Sequence, residues 1–223
     1  HSGSAMSKLV PIIAILFLGM LLIWLLLGWE PVSVDPVSHE TLGLDARPIG
    51  GEFELISAQG PLRLSDYQGK VVLLYFGYTQ CPDICPTNLA IMAIALRDLD
   101  RSLGKDALDR VQVLFVSVDP ERDTVERLAD YVGYFHPRMI GLTGSPQALA
   151  GVARQYGAAY QRSDAGSSAM GYTVDHSAYT YVIDASGRLA EVLDHATPAE
   201  QIVAILRRHL AGASQAQTEP NLK

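Results

Sequence analysis

The 223-residue sequence predicts an α/β domain, a mixed central sheet flanked by helices, behind an N-terminal transmembrane helix. Three observations carry that expectation. Residues 9–29 run without a single charge, and apolar runs of strand length alternate with helix-period segments between residues 50 and 210. The last two strand-like runs are separated by a tight turn instead of a helix, which makes the sheet mixed. Composition agrees: 48% of residues are apolar and 18% charged, too apolar for a disordered chain. A net charge of −7 leaves no electrostatic footprint for nucleic acid, so no such partner is expected. Two cysteines are too few for a disulfide-built scaffold.

Residues 1–6 (HSGSAM) read as a tag remnant and a start methionine, outside the fold. The segment 7–29 contains the uncharged run Leu9–Trp29, which as a helix would extend about 31 Å, the thickness of a hydrocarbon core. A cleaved secretory signal has a shorter apolar region, about 7–15 residues. Glu30-Pro31-Val32-Ser33-Val34 also offers no small-residue cleavage site. A buried core helix is rarely apolar on every face. The expectation is therefore an uncleaved, single-pass anchor.

Lys8 precedes the span while Glu30 and Asp35 follow it, which orients the N-terminus to the cytoplasm. No Arg-rich, acid-poor transit peptide precedes it. The expected location is a bacterial inner membrane, with the remaining chain in the periplasm, where disulfides persist. Residues 30–47, aperiodic and broken by Pro31 and Pro36, read as a tether. Residues 48–212 make one domain, and 213–223 a polar, disordered tail.

Within the domain, Phe53-Glu54-Leu55 alternates as a strand, and Gly60-Pro61 turns the chain into Leu62-Arg63-Leu64. Val71–Phe76 is a continuous apolar run, as expected of a strand covered on both faces. Leu89, Met92, Leu96 and Leu99 fall on one helical face. Val111–Val118 is a second buried strand. Asp123-Thr124-Val125-Glu126 reads as a capping box for a helix that ends before His136-Pro137. Met139–Leu142 is a short strand, and Ser145 with Pro146 starts a helix ending near Gly157. Ala178–Asp184 and Arg188–Leu193 are strands around Ala185-Ser186-Gly187, and Thr197-Pro198-Ala199-Glu200 caps the closing helix. A βαβ half with right-handed crossover joined to a ββα half is the thioredoxin plan.

Both cysteines, Cys81 and Cys85, lie in Gly77-Tyr78-Thr79-Gln80-Cys81-Pro82-Asp83-Ile84-Cys85-Pro86, past a buried strand and at the start of a helix. That places them at the carboxyl edge of the sheet, where open α/β folds bind ligands. A helix start favours thiolate over thiol, and an i, i+4 spacing brings the two sulfurs together. Two inert buried cysteines are the bland alternative, but one loop holding both disfavours it. The three intervening residues loosen the C-x-x-C signature of a dithiol oxidoreductase. Two cysteines also fall short of the four ligands of structural zinc. Two thiolates with an imidazole suit copper, sulfur holding Cu(I) and nitrogen helping to hold Cu(II).

Six histidines are available. His1 belongs to the tag remnant and His39 to the tether, while His136, His195 and His209 sit at helix or strand ends or on the last helix. His176 stands in Val174-Asp175-His176-Ser177, before the buried strand at Ala178. In thioredoxin-like enzymes that loop faces the cysteine pair and usually carries a proline. An Asp-His pair takes its place here, making His176 the candidate third ligand.

Tyr75-Phe76-Gly77-Tyr78-Thr79, Cys81-Pro82-Asp83-Ile84-Cys85-Pro86-Thr87, Val118-Asp119-Pro120-Glu121-Arg122-Asp123-Thr124, Gly141-Leu142-Thr143-Gly144 and Val174-Asp175-His176 occur in this order. Together they resemble the Sco/SenC family, over about residues 48–212. The resemblance implies a membrane-anchored, thioredoxin-like copper metallochaperone for the binuclear copper site of cytochrome c oxidase subunit II. Its copper ligands would be Cys81, Cys85 and His176, with Asp119 either a further copper contact or a strand-end carboxylate. A flexible loop before His176 would let the imidazole swing away during transfer. Another periplasmic copper donor would be a further partner. The second reading is a thiol-disulfide reductase, with Cys81 and Cys85 as its redox-active pair, that keeps the cysteines of that subunit reduced.

Overall fold

Strand β3 (Val71–Gly77) is the axis of the domain, and its seven residues are all buried. In the computed structural model, residues 17–22, 24, 48–164 and 172–216 are described. A hairpin of β1 (Glu54–Ser57) and β2 (Gly60–Arg63) precedes β3. Then come α1 (Ile84–Leu103), a short α2 (Lys105–Asp109), β4 (Val111–Ser117), α3 (Val125–Phe135), β5 (Met139–Leu142) and α4 (Pro146–Tyr156). A second hairpin, β6 (Tyr160–Asp164) and β7 (Tyr172–His176), leads to β8 (Thr180–Ile183), β9 (Leu189–Leu193) and α5 (Ala199–Ala216). The central sheet has the order β5-β4-β3-β8-β9. β3, β4 and β5 are parallel, β8 pairs antiparallel to β3, and β9 pairs antiparallel to β8. This mixed sheet with flanking helices is the thioredoxin-like arrangement expected from the element order.

The unbroken apolar runs follow from cover on both faces. Val71, Leu73 and Tyr75 point into one core with Leu89, Leu96 and Leu99 of α1, Leu128 of α3 and Leu206 of α5. Val72, Leu74 and Phe76 point into the other, with Leu55 of the first hairpin and Leu149 and Tyr156 of α4. The parallel register runs from Val71 beside Val111 to Gly77 beside Ser117. Both strands therefore end at the same level, and the loops that follow them leave the sheet side by side.

Local signals place most helix ends as expected. Ser145 Oγ accepts from the Ala148 amide with Pro146 in the first turn, and Gly157 closes α4 with φ 65°. α3 begins one residue later than the expected box: Thr124, not Asp123, is its cap and accepts from the Arg127 amide. Asp123 turns inward instead and is 1% exposed. Thr197 does not cap α5; its hydroxyl donates to the Asp194 carbonyl at 2.8 Å. α5 itself continues to Ala216, past the expected end of the domain. The hairpin β6–β7 flanks a Gly- and Ser-rich stretch where no element was expected; Tyr172 and Val174 alternate with Thr173 and Asp175, but β6 is polar after Tyr160 and offers no apolar pattern.

The expected anchor 7–29 and tether 30–47 lie almost wholly outside the described residues, as does 217–223. Residues 17–22 and 24 are helical. Among the described residues no helix is long and apolar enough to cross a membrane.

Gly141 lets α3 rest directly on β5. A Cβ there would lie 2.6 Å from Leu128 Cβ and 3.1 Å from the Leu128 backbone. Gly141→Ala should destabilise the domain by about 1–3 kcal/mol, the usual cost of overpacking, as read from the midpoint of chemical denaturation.

Candidate metal centre

The site forms where β3 gives way to α1. The chain turns at Tyr78, whose carbonyl accepts from the Cys81 amide at 3.3 Å, and α1 begins at Ile84. Cys81 is half-buried and Cys85 fully buried, and both are free thiols. The Cys85 amide points at Cys81 Sγ, 3.4 Å away, so a helix-start N–H faces the more exposed sulfur. Gly77 makes room for the other sulfur. A Cβ at that position would stand 2.6 Å from Cys85 Sγ and 2.8 Å from the Phe115 ring.

His176 arrives from the opposite side of the sheet. It ends β7, paired with Tyr160, and its Nε2 lies 3.2 Å from Cys85 Sγ. Its Nδ1 sits 3.2 Å from the Ser177 carbonyl. A carbonyl only accepts, so Nδ1 carries a proton and Nε2 is the nitrogen presented to the sulfurs. The edges of Tyr75 and Tyr78 box the ring, with centroids at 6.3 and 5.8 Å and nearly perpendicular planes. Cys81, Cys85 and His176 thus offer three ligand atoms that all lie within 4.8 Å of one another, and among the described residues this is the metal-competent group. His176 ends a hydrogen-bonded strand, and residues 165–171, within the stretch before it that was expected to be flexible, lie outside the described residues. His195 is exposed, and His209 pairs with Glu191 at 2.6 Å.

Asp119 does not join the three. One carboxylate oxygen takes the Arg122 guanidinium and the other the Tyr172 hydroxyl at 2.7 Å. The carboxylate closest in importance to the cysteines is Asp123. Its oxygens accept from the Thr79 amide at 2.9 Å, the Thr79 hydroxyl at 2.5 Å and the Ser117 hydroxyl at 2.6 Å. It therefore ties the cysteine loop to the end of β4. The sequence presented Asp123 as a helix cap, and only its hydrophobic left flank (Val116, Val118) hinted at burial. Tyr75 and Asn88 were also missed as site residues. Asn88 Nδ2 donates to Tyr75 Oη at 3.0 Å, and Asn88 Oδ1 accepts from the Ala196 amide at 3.0 Å.

Comparison with known proteins decides the family. The family model described as SCO1/SenC matches residues 43–211. The chain belongs to the SCO1/SenC family. The Bos taurus protein "SCO2 homolog, mitochondrial" is 43% identical over 162 residues, 72% of this chain and 59% of the relative. The SCO2-like protein of Rickettsia felis is 43% identical over 141 residues, 63% of this chain and 66% of the relative. This SCO1/SenC chain thus spans about three fifths of the length of such curated relatives. Among solved structures, Arabidopsis thaliana ScoI with copper bound gives a TM-score of 0.67 at 36% identity, covering 74% of this chain and 99% of that one. Bradyrhizobium japonicum ScoI with copper bound gives 0.64 at 35% identity, covering 73% and 99%.

The two sulfurs of this SCO1/SenC domain are electrostatically unlike. The Cys85 thiol donates to Cys81 and holds its pKa down to about 3, against the effect of partial burial. The amides of Cys85 and Asp83 add to the lowering. Donation to Cys81 pushes Cys85 the other way, followed by burial. Burial, then proximity to Cys85, also raises Tyr75, so its phenol stays a protonated neighbour of that sulfur. Cys81 is the thiolate and Cys85 the thiol.

Two outcomes follow from this geometry. Because the Cys81 pKa is lowered, its thiolate is already formed across the mildly acidic to neutral range. Alkylation by iodoacetamide should modify Cys81 first, at a rate nearly constant from about pH 5 to pH 8, whereas an ordinary thiol accelerates about tenfold per unit below its pKa. Peptide mapping by mass spectrometry reads both. Asp123→Ala leaves three donors without their acceptor and should cost about 2–4 kcal/mol of stability, measured by denaturant titration, with faster amide exchange at Thr79.

Proposed function

We propose that Cys81, Cys85 and His176 bind copper, and that the domain is a metallochaperone in cytochrome c oxidase assembly. The observation that carries this reading is the convergence of two sulfurs and one imidazole nitrogen within 4.8 Å. Two soft thiolates suit Cu(I), and adding Nε2 extends the site to Cu(II). A thiolate such as Cys81 binds without first losing a proton, whereas Cys85 releases its proton as copper enters. The Ser177 carbonyl keeps Nδ1 protonated, so Nε2 meets the metal. Copper-bound relatives at 35–36% identity support the same chemistry.

In this reading the cargo passes to the binuclear copper site of oxidase subunit II, and another periplasmic protein supplies it. The segment 7–29 anchors the chain in a bacterial inner membrane, and the tether 30–47 lets the domain reach its partner. With three protein ligands and a half-exposed Cys81, the site leaves one side open for a competing ligand, as delivery requires.

A second reading is favoured by the unequal cysteines. A half-exposed thiolate over a buried thiol is the arrangement of a dithiol reductant. Cys81 Sγ would attack a disulfide of the oxidase subunit, releasing one thiolate. Cys85 Sγ would then displace the second sulfur and close a Cys81–Cys85 disulfide, so one partner disulfide is reduced as one dithiol is oxidised.

Copper titration into the reduced protein tests the first reading. One equivalent should bind, with a sulfur-to-Cu(II) charge-transfer band and nitrogen hyperfine coupling in EPR. His176→Ala should abolish that coupling and weaken Cu(II) by more than the roughly 10–100-fold cost of losing an outer-sphere partner. Absent copper binding, together with a reducing Cys81–Cys85 couple that reduces a partner disulfide with turnover, would establish the reductase instead.

A further inference from the structure

Hairpin β6–β7 carries His176 at its end, yet it stands apart from the five-stranded sheet as a two-stranded ribbon. Such a ribbon is marginal unless something packs on it. Val174 tucks into the second apolar core, and the rest of the ribbon is packed by a column of alternating aromatic rings and guanidinium groups. Arg122 lies 3.7 Å and Arg162 3.4 Å from the centre of the Tyr172 ring. Two guanidinium groups cannot share one face at that separation, so Tyr172 is held between them. Arg122 in turn stands 5.7 Å from the Tyr78 ring, in the loop that leads to Cys81.

The column is cross-braced at every level. Arg122 donates to the Tyr172 carbonyl at 3.1 Å and to Gln80 Oε1 at 3.2 Å. Tyr172 Oη and the Arg122 guanidinium share the two oxygens of Asp119. Arg162 pairs with Glu121 at 2.9 Å. The two acids offset the two stacked cations, and the mostly buried Arg122 gains most from the ring faces. Through Arg122 and Asp119 these contacts link Tyr172 of the hairpin to the loop after β4 and to the loop that carries Cys81.

We propose that the Tyr172–Arg122 clamp is the positioning device for His176. Tyr172 lies four residues from His176, about 13 Å along the strand, and acts by seating β7. While the clamp is closed, Nε2 stands beside Cys85 Sγ. When it opens, the hairpin carries the imidazole off the sulfurs as a unit, converting a two-sulfur, one-nitrogen site into a two-sulfur site. The consequence for copper rests on the function proposed above, but the seating of the ring does not.

The test uses the full chain in detergent, reduced and metal-free, with 13C,15N-labelled histidine. The His176 ring resonances, displaced by the Tyr75 and Tyr78 rings, should move to free-histidine positions in Tyr172→Leu. They should stay in Tyr172→Phe, which keeps the stack and loses only the Asp119 bond. Unmoved resonances in Tyr172→Leu overturn the proposal. Added Cu(II) should then bind Tyr172→Leu as weakly as it binds His176→Ala, more than about 100-fold below the unaltered chain, without nitrogen hyperfine coupling. If the ring moves but Cu(II) binding is unchanged, the clamp stands and the role of His176 as a ligand falls. Should Tyr172→Leu not fold, Arg162→Ala, altered at a half-exposed residue, reports instead. Its β6–β7 amides should exchange faster while those of β3 and β4 do not, and unchanged exchange in the hairpin overturns the proposal.

Discussion

A buried carboxylate bridges the two loops from which the site is built. Asp123, almost without solvent contact, accepts from both polar groups of Thr79 and from the Ser117 hydroxyl. A buried charge is tolerable only when its hydrogen bonds are complete, and this one has donors on both strands' extensions. The requirement works in both directions. Parallel β3 and β4 must end level for one side chain to reach both, and once it does, the cysteine loop has a single path away from the sheet.

The chemistry depends on that path. Gly77 allows the Cys85 sulfur to lie against the strand end, where burial and donation to its neighbour keep it a thiol. One helical turn earlier, Cys81 receives backbone N–H groups and the Cys85 proton and stays ionised. The same residue type thus has opposite protonation states at positions four apart. This asymmetry serves either metal uptake or thiol-disulfide exchange, which explains why both readings draw on one pair of residues.

The imidazole is governed by different forces. It comes in on a ribbon outside the sheet and is held by ring–guanidinium contacts and by the charges of Asp119 and Glu121. The cysteines are anchored in the apolar core, whereas the histidine's hairpin meets the core through Val174 and is otherwise held by a polar surface clamp. A site assembled this way has a rigid part and a part that can leave, which suits a protein whose cargo must depart.

Much of this was legible in the residues alone. The continuous run Val71–Phe76 announces a strand covered on both faces, Ser145-Pro146 with Gly157 brackets α4, and an i, i+4 pair at a helix start brings two sulfurs together through local geometry. Periodicity is a local property, and these features depend on nothing farther than a turn or two. The partner for the sulfurs is 91 residues away, and its approach depends on β8 pairing with β3 and on a hairpin whose first strand has no apolar alternation to reveal it. Tertiary structure likewise set the roles of two acids in one turn. Asp119, a candidate metal contact by resemblance, is occupied by Arg122 and Tyr172, while Asp123, read as a helix cap, is buried beneath the cysteine loop. Which of two nearby carboxylates faces inward depends on the donors that other segments bring to it, and those donors are assembled only when the chain has folded.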